Sequence, residues 1–307
     1  MALPITLAAA ALATGIELAQ FYDQGRITSM GDIYADTIGC GVGVAVASVV
    51  GAEIQWPLLK QLRHDPAAAL VLVMWFGYRL YPYVPVSSVH KYTRALAPVL
   101  MGRALPPIAL ARFTVAWMGI GAILDALYGG RRARILLPLL IVTEFVGRIL
   151  IIDATLQPAD IVGAGLAFAI WLLLPRAGEW RYAIVTISFA GMIIIARLEP
   201  FVFNATPHPF GWVPFASFMR GSVSVAMQAF CEKFFQYAGL IWLLRHVGLR
   251  IGLATALVAA LLFVTSWAET YLPGRSAEIT DAAMAVVIGG VFALLAGRPS
   301  RPSCPPS

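Results

Sequence analysis

Charged residues are scarce in this chain: Asp, Glu, Lys and Arg make up 12% of its 307 residues, whereas 60% are hydrophobic. A soluble domain of this length normally has about twice that share of charge. We therefore exclude a soluble globular protein and predict an integral membrane protein. The net charge of +6 does not indicate nucleic-acid binding, because most Lys and Arg residues stand singly in short loops, as in membrane proteins.

Cysteines are few as well. Cys40 and Cys231 lie in apolar segments and Cys304 lies in a proline-rich tail, with no Cys-x-x-Cys spacing. This excludes a disulfide framework and a cysteine zinc site. The four histidines are isolated, and no Ser-His-Asp, HExxH or phosphate-loop pattern occurs. We predict no metal and no cofactor.

Apolar segments long enough to cross a bilayer recur along the chain. They predict an all-α, polytopic transmembrane bundle of about ten helices. The predicted helices are Leu3 to Tyr22, Asp32 to Val50, Ala67 to Tyr83, Ile108 to Tyr128, Ile135 to Ile152, Ile161 to Leu174, Tyr182 to Leu198, Ser222 to Leu244, Ile251 to Ala268 and Asp281 to Ala296.

Three further features concern the membrane. Val86 to Leu105 is too polar to span, and its Lys91/Arg94 face predicts an amphipathic helix at the interface. The first apolar segment has no basic residue before it, so we expect a retained helix rather than a signal peptide. The basic loop from Arg131 to Arg134 places both termini in the cytoplasm.

A polar motif recurs within the chain. ELAQFYDQGRITSMGDIYADTIGCGV, from residue 17, aligns without a gap with SWAETYLPGRSAEITDAAMAVVIGGV, from residue 266. An arginine precedes an aspartate by six residues in both segments, as Arg26 and Asp32 and as Arg275 and Asp281. Such self-similarity predicts internal repeats.

A middle copy has Glu144 and Asp160 at nearly the same separation as the acidic residues of the first motif, but it lacks the arginine. A second element, RLYPYV at Arg79, recurs as RLEPFV at Arg197. The predicted domains are a half unit (1–52), a degenerate four-helix unit (66–180), a second four-helix unit (181–297) and a disordered tail (298–307).

The first motif holds the densest set of charges. Glu17 and Gln20 share one helical face, Asp32 and Asp36 share another, and Arg26 lies in the short turn between them. We expect ion pairing, since charge inside a bilayer requires a partner or water. The alternative is a solvated helix–turn–helix at headgroup level, with Asp32 as the N-cap of its helix.

Other charges lie within predicted helices. Glu232 and Lys233 are adjacent and cannot face each other, so at least one should point to a partner helix or a cavity. Glu144 and Arg148 are four apart, which favours an intrahelical salt bridge in a decayed site kept for architecture.

Arg79 and Arg197 end their helices before aromatic, proline-rich segments. Two interpretations remain open: snorkelling within an aromatic belt, or binding of an anionic headgroup. Small residues at four-residue spacing form ridges that favour close helix packing. The ridges are Ala35, Gly39, Gly43 and Ala47, and Ala285, Gly289, Ala293 and Gly297.

The first motif resembles the VanZ-like family of bacterial membrane proteins, which has Asn where this chain has Asp36. EKFFQY, from Glu232, is similar to that family's (Asp/Glu)-Lys-x-x-x-(Phe/Tyr) helix. The final copy keeps Arg275 and Asp281. It departs from the pattern with Ser266 at the Glu position, Glu269 at the Gln position and Ala285 at the Asn position.

The resemblance implies a role in the bacterial cell envelope, with links to teicoplanin resistance and exopolysaccharide loci, in the cytoplasmic membrane. Our leading hypothesis is that outer-face polar turns bind a membrane lipid or lipid-linked glycan, with Arg26 and Arg275 on phosphate. The candidate ligand-binding residues are Glu17, Gln20, Arg26, Asp32, Asp36, Arg79, Arg197, Glu232, Lys233, Glu269, Arg275 and Asp281.

Two alternatives stay open. One is an enzyme that uses Glu17 or Asp32 as general acid or base on a polyprenyl-phosphate or phospholipid substrate. The other is a structural scaffold for proteins of envelope biosynthesis.

Overall fold

The structure, a computed structural model, divides the chain into two compact units, residues 1–60 and 61–307. It describes residues 61–62, 64–174, 179–216 and 222–296, and six isolated positions before residue 61. Apart from those positions, both helices predicted before residue 61 lie outside the described residues. So do the candidate residues of the first motif, Glu17, Gln20, Arg26, Asp32 and Asp36.

Within its described ranges the second unit contains nine helices and no strand. They are α1 (Pro66–Arg79), α2 (Val89–Leu100), α3 (Pro107–Tyr128), α4 (Gly130–Leu150), α5 (Pro158–Leu173), α6 (Glu179–Leu198), α7 (Val223–His246), α8 (Ile251–Glu269) and α9 (Thr280–Ala296). Helices α1, α3 and α5 each begin with a proline. Proline fits there because the first N–H groups of a helix form no hydrogen bond within the helix.

The predicted all-helical class is confirmed for these residues. Three helices are long and apolar enough to cross a membrane: Pro107–Tyr128, Trp180–Leu198 and Ile251–Glu269. A bundle of about ten spanning helices stays a prediction. The largest difference in bounds is at α4, which begins at Gly130 rather than Ile135. Helix α1 ends at Arg79 rather than Tyr83, because Pro82 restricts the preceding backbone and cannot donate a helical hydrogen bond.

An aromatic core joins α1, α3, α6 and α7. The Trp75 ring lies 5.5 Å from that of Trp117 and 4.7 Å from that of Phe235. Phe235 in turn contacts Phe189 of α6, with 5.7 Å between ring centroids. Arg79 follows Trp75 by about one helical turn, so its side chain points into the same interior, where its guanidinium lies 5.3 Å from the Trp75 ring.

The polar segment between α1 and α3 forms the predicted surface helix, α2. Val89 and Leu100 are more than three-quarters exposed, which suits contact with lipid. Lys91 differs from the expectation of an exposed basic face: it is buried and donates to the carbonyls of Arg148 (3.4 Å) and Ala154 (2.5 Å). Burial lowers the pKa of this ammonium below its usual value.

Helices α8 and α9 pack closely at Gly289. A Cβ added there would lie 2.8 Å from the Cβ of Thr255, well inside van der Waals contact. The neighbouring Gly290 faces open space, with no atom within 4 Å of such a Cβ. This contact fits the predicted packing role of the Ala285–Gly289 ridge.

We predict that Gly289→Ala lowers the free energy of unfolding by about 1–3 kcal/mol, the usual cost of overpacking. Gly290→Ala is the matched control, which should be neutral or stabilising by about 0.5–1 kcal/mol because glycine weakens a helix. Denaturant unfolding in detergent measures both. Equal stability of the two variants would contradict the close packing.

Candidate functional site

The first of two ion-pair clusters forms where α1, α4 and α5 meet. Arg79, the last residue of α1, donates from Nε to Oε1 of Glu144 at 2.6 Å and from Nη2 to Oδ1 of Asp160 at 2.7 Å. The Arg79 side chain is 3% exposed and both carboxylates are 0% exposed. These three charges are therefore closed on one another.

Arg148 completes this first cluster. It donates to Oδ2 of Asp160 at 2.6 Å and to the carbonyl of Thr155. The predicted salt bridge to Glu144 is present at 3.8 Å, but the shorter bond of that carboxylate is the one from Arg79. Two cations thus face two carboxylates, and their formal charges cancel.

The second cluster has the same plan where α6, α8 and α9 meet. Arg197 donates to Oδ2 of Asp281 at 2.5 Å, to Oε2 of Glu269 at 2.9 Å and to Oγ of Ser266 at 2.8 Å. Lys233 of α7 donates to the other oxygen of Asp281, Oδ1, at 2.7 Å. Again two cations face two carboxylates.

The backbone after the two arginines follows the same path. Tyr83 and Phe201 both have positive φ, 62° and 63°. Each also donates its amide to the carbonyl three residues earlier, that of Leu80 or Leu198, at 2.8 Å. These matches support the predicted repeat of four-helix units, which stays a prediction.

Two expectations change. Snorkelling of Arg79 and Arg197 is wrong, because both are buried and each is paired with two carboxylates. The sequence also suggested that Arg275 accompanies Asp281. Instead Arg275 lies in the exposed turn and donates to the carbonyls of Ala196 (3.1 Å) and Glu199 (2.8 Å). Asp281 faces the interior, where Arg197 reaches it.

A polar pocket of about 330 Å³ borders the second cluster. The adjacent pair Glu232 and Lys233 lines it, and Lys233 also contacts α9, which confirms that at least one of them faces a cavity or partner helix. Arg112 lies 3.8 Å from Glu232. The full polar lining comprises Arg112, Arg197, Glu232, Lys233, Gln236, Tyr237, Glu269, Arg275, Ser276 and Asp281.

An apolar crevice of about 40 Å³ adjoins this pocket. Four residues line both: Arg112, Ala196, Glu232 and Gln236. The other walls are mainly aromatic and aliphatic. They are Trp75, Tyr78, Phe113, Val115, Ala116, Phe189, Met192, Ile193 and Phe235. A charged space and an apolar space therefore share one wall.

Sequence reasoning missed Arg112 and Tyr237 as site residues. Arg112 carried a signal, since it lies inside one of the most apolar helices, where a charge is expensive and usually has a purpose. Tyr237, whose hydroxyl accepts from Arg197 at 3.1 Å, carried a signal as well, because it fills the aromatic position of the motif that begins at Glu232. By itself, a tyrosine in an apolar helix is more often a core residue.

The described residues contain no group of three or more His, Cys, Asp or Glu side chains placed to hold a metal ion. No protein-family model, curated protein or solved structure matches the chain. Membership of the VanZ-like family accordingly stays a prediction from the motif.

We predict that Arg79→Leu lowers the free energy of unfolding by about 3–5 kcal/mol, because it leaves Glu144 buried with only a distant cation. Arg197→Leu should cost less, because water in the adjoining pocket can reach Asp281 and Glu269. Unfolding of both variants in the same detergent measures the difference. Equal losses would contradict the contrast between a closed and an open cluster.

Proposed function

We propose that this protein is a VanZ-like integral membrane protein of the bacterial cell envelope that binds an anionic membrane lipid or lipid-linked glycan through its phosphate. The observation that carries the proposal is the shared wall between the polar pocket and the apolar crevice. An amphiphile needs this combination, with a charged space for its head beside an apolar space for its chain.

The polar pocket favours an anion. The second cluster has no net charge. The other charged residues of the pocket lining are Arg112, Arg275 and Glu232, so the lining as a whole has an excess of one positive charge. Arg112 is 42% exposed and 3.8 Å from Glu232, so little of its hydrogen-bonding capacity is used by that contact. Guanidinium groups suit phosphate because they donate two parallel hydrogen bonds.

Lys233 is the second expected contact of the phosphate. Its ammonium donates to Asp281 at 2.7 Å, and its side chain is 32% exposed beside the pocket. If the ligand draws Lys233 away, Asp281 keeps Arg197 and the favourable field at the N-terminal end of α9. The exchange therefore leaves no carboxylate unpaired.

Binding is better supported than catalysis. Asp281 faces two cations, Arg197 at 2.5 Å and Lys233 at 2.7 Å, which weakens it as a general base. The envelope setting and an accessory role in glycopeptide resistance or exopolysaccharide formation rest on the resemblance of the first motif. The same resemblance is the basis for proposing that Arg26 binds the phosphate, with Glu17 and Asp32 beside it.

We predict that Lys233→Gln weakens binding of phosphatidylglycerol about tenfold or more, the loss expected for a charge-assisted hydrogen bond. Native mass spectrometry of lipid adducts on the purified protein measures this. Phosphatidylcholine serves as the ligand of zero net charge. Arg112→Gln, which removes an exposed charge from the same pocket, should have the same effect.

Arg103→Gln is the matched control, because Arg103 is an exposed cation outside the pocket. It should bind phosphatidylglycerol like the unchanged protein. The thermal midpoint of each variant separates lost binding from lost fold. Folded Lys233→Gln and Arg112→Gln variants with unchanged affinity, or equal binding of phosphatidylcholine and phosphatidylglycerol, would sink the proposal.

A further inference from the structure

The pocket and the crevice differ greatly in size, and this difference bears on the kind of lipid. The polar pocket has about 330 Å³, whereas the crevice has about 40 Å³. One water-sized group needs about 10–15 Å³ by this measure. The crevice therefore has room for about three such groups, which fits the first carbons of one chain but not two chains side by side.

Arg112, Glu232 and Gln236 lie at the junction of the two spaces. A chain that enters the crevice must pass these polar groups, so the phosphate to which it is joined lies beside Arg112. The excess of one positive charge matches a phosphodiester, which carries one negative charge. The rest of the polar pocket then receives the group on the far side of that phosphate.

That far group should carry hydroxyls. Oε1 of Glu232 accepts from Gln236 at 3.3 Å, and a carboxylate offers about four acceptor sites. Glu269 and Ser276 add acceptors on the same lining. A sugar or glycerol headgroup would donate to these oxygens, whereas a choline headgroup has no donor and would place a third cation beside Arg112 and Lys233.

We infer that the ligand is a single-chain lipid phosphodiester with a hydroxylated headgroup, whose first chain carbons occupy the crevice at Ala196 and whose phosphate lies between Arg112 and Lys233. This inference rests on the proposed function, and it selects a one-chain lipid over an ordinary two-chain phospholipid.

The test compares three lipid probes at equal mole fraction in phosphatidylcholine nanodiscs with one soluble probe added at the same total concentration. Among the lipids, lysophosphatidylglycerol has one chain and a glycerol headgroup, phosphatidylglycerol has two chains, and lysophosphatidylcholine has the wrong headgroup. The soluble probe, glycerol 3-phosphate, has no chain. Lysophosphatidylglycerol should bind about tenfold tighter than each of the others, the effect of burying about two methylene groups or of losing one charged contact.

Ala196→Leu fills the junction and should abolish the preference for one chain. Gly191→Leu is the control on the same helix, since a Cβ at Gly191 would meet no atom within 4 Å. If Ala196→Leu fails to fold, Val115→Phe narrows the crevice from α3 instead.

The outcomes separate the two proposals. If both phosphatidylglycerol and its one-chain form bind equally and both depend on Lys233, the one-chain inference is wrong and the proposed function stands. The same holds if a folded crevice variant keeps the preference. If neither binds in a Lys233-dependent way, the proposed function fails as well.

Discussion

The cost of placing charge in an apolar interior governs the described part of this protein. Arg79 and Arg197 each enter the bundle at the end of a helix, and each is stabilised by two carboxylates from two other helices. Removing one member would leave an unpaired buried charge, so these pairs fix which helix ends lie together. Aromatic rings around Trp75 pack against the resulting arrangement, and the polar pocket lies beside one of the two clusters.

The two clusters share a plan but differ in their surroundings. In the first, the second cation is Arg148 of α4, only four residues from Glu144, and both carboxylates are fully buried. In the second, the corresponding cation is Lys233 of α7, which is partly exposed beside the pocket. Because its second cation comes from α7 at the edge of the pocket, the second cluster is open to that pocket. The middle copy, which seemed decayed because it lacks a turn arginine, receives its arginine from α1 and forms the more buried cluster.

Much of the fold was predictable because its signals are local. Apolar length located eight helices in the described ranges, and the polar interval before α3 marked the surface helix. The partners of the charges were not predictable in the same way. Arg197 lies 84 residues from Asp281, and nothing in the spacing of either motif indicates that they meet. Glu232 and Lys233 could be identified from the sequence because adjacent opposite charges in a helix are conspicuous. Arg112 could be assigned to the site only from the structure, which shows how α3 packs against α6.

Arg275 carries one more consequence. Its guanidinium donates to the carbonyl of Ala196, in the last turn of α6, and to that of Glu199, the residue after the helix. Carbonyls at a helix C-terminus have no partner within the helix. Arg275 therefore acts as a C-terminal cap supplied from a distant part of the chain, and its positive charge opposes the negative end of the helix dipole. An arginine six residues before an aspartate thus need not mark a ligand-binding pair. One member of the motif can hold a neighbouring helix in place while the other serves the ion-pair cluster.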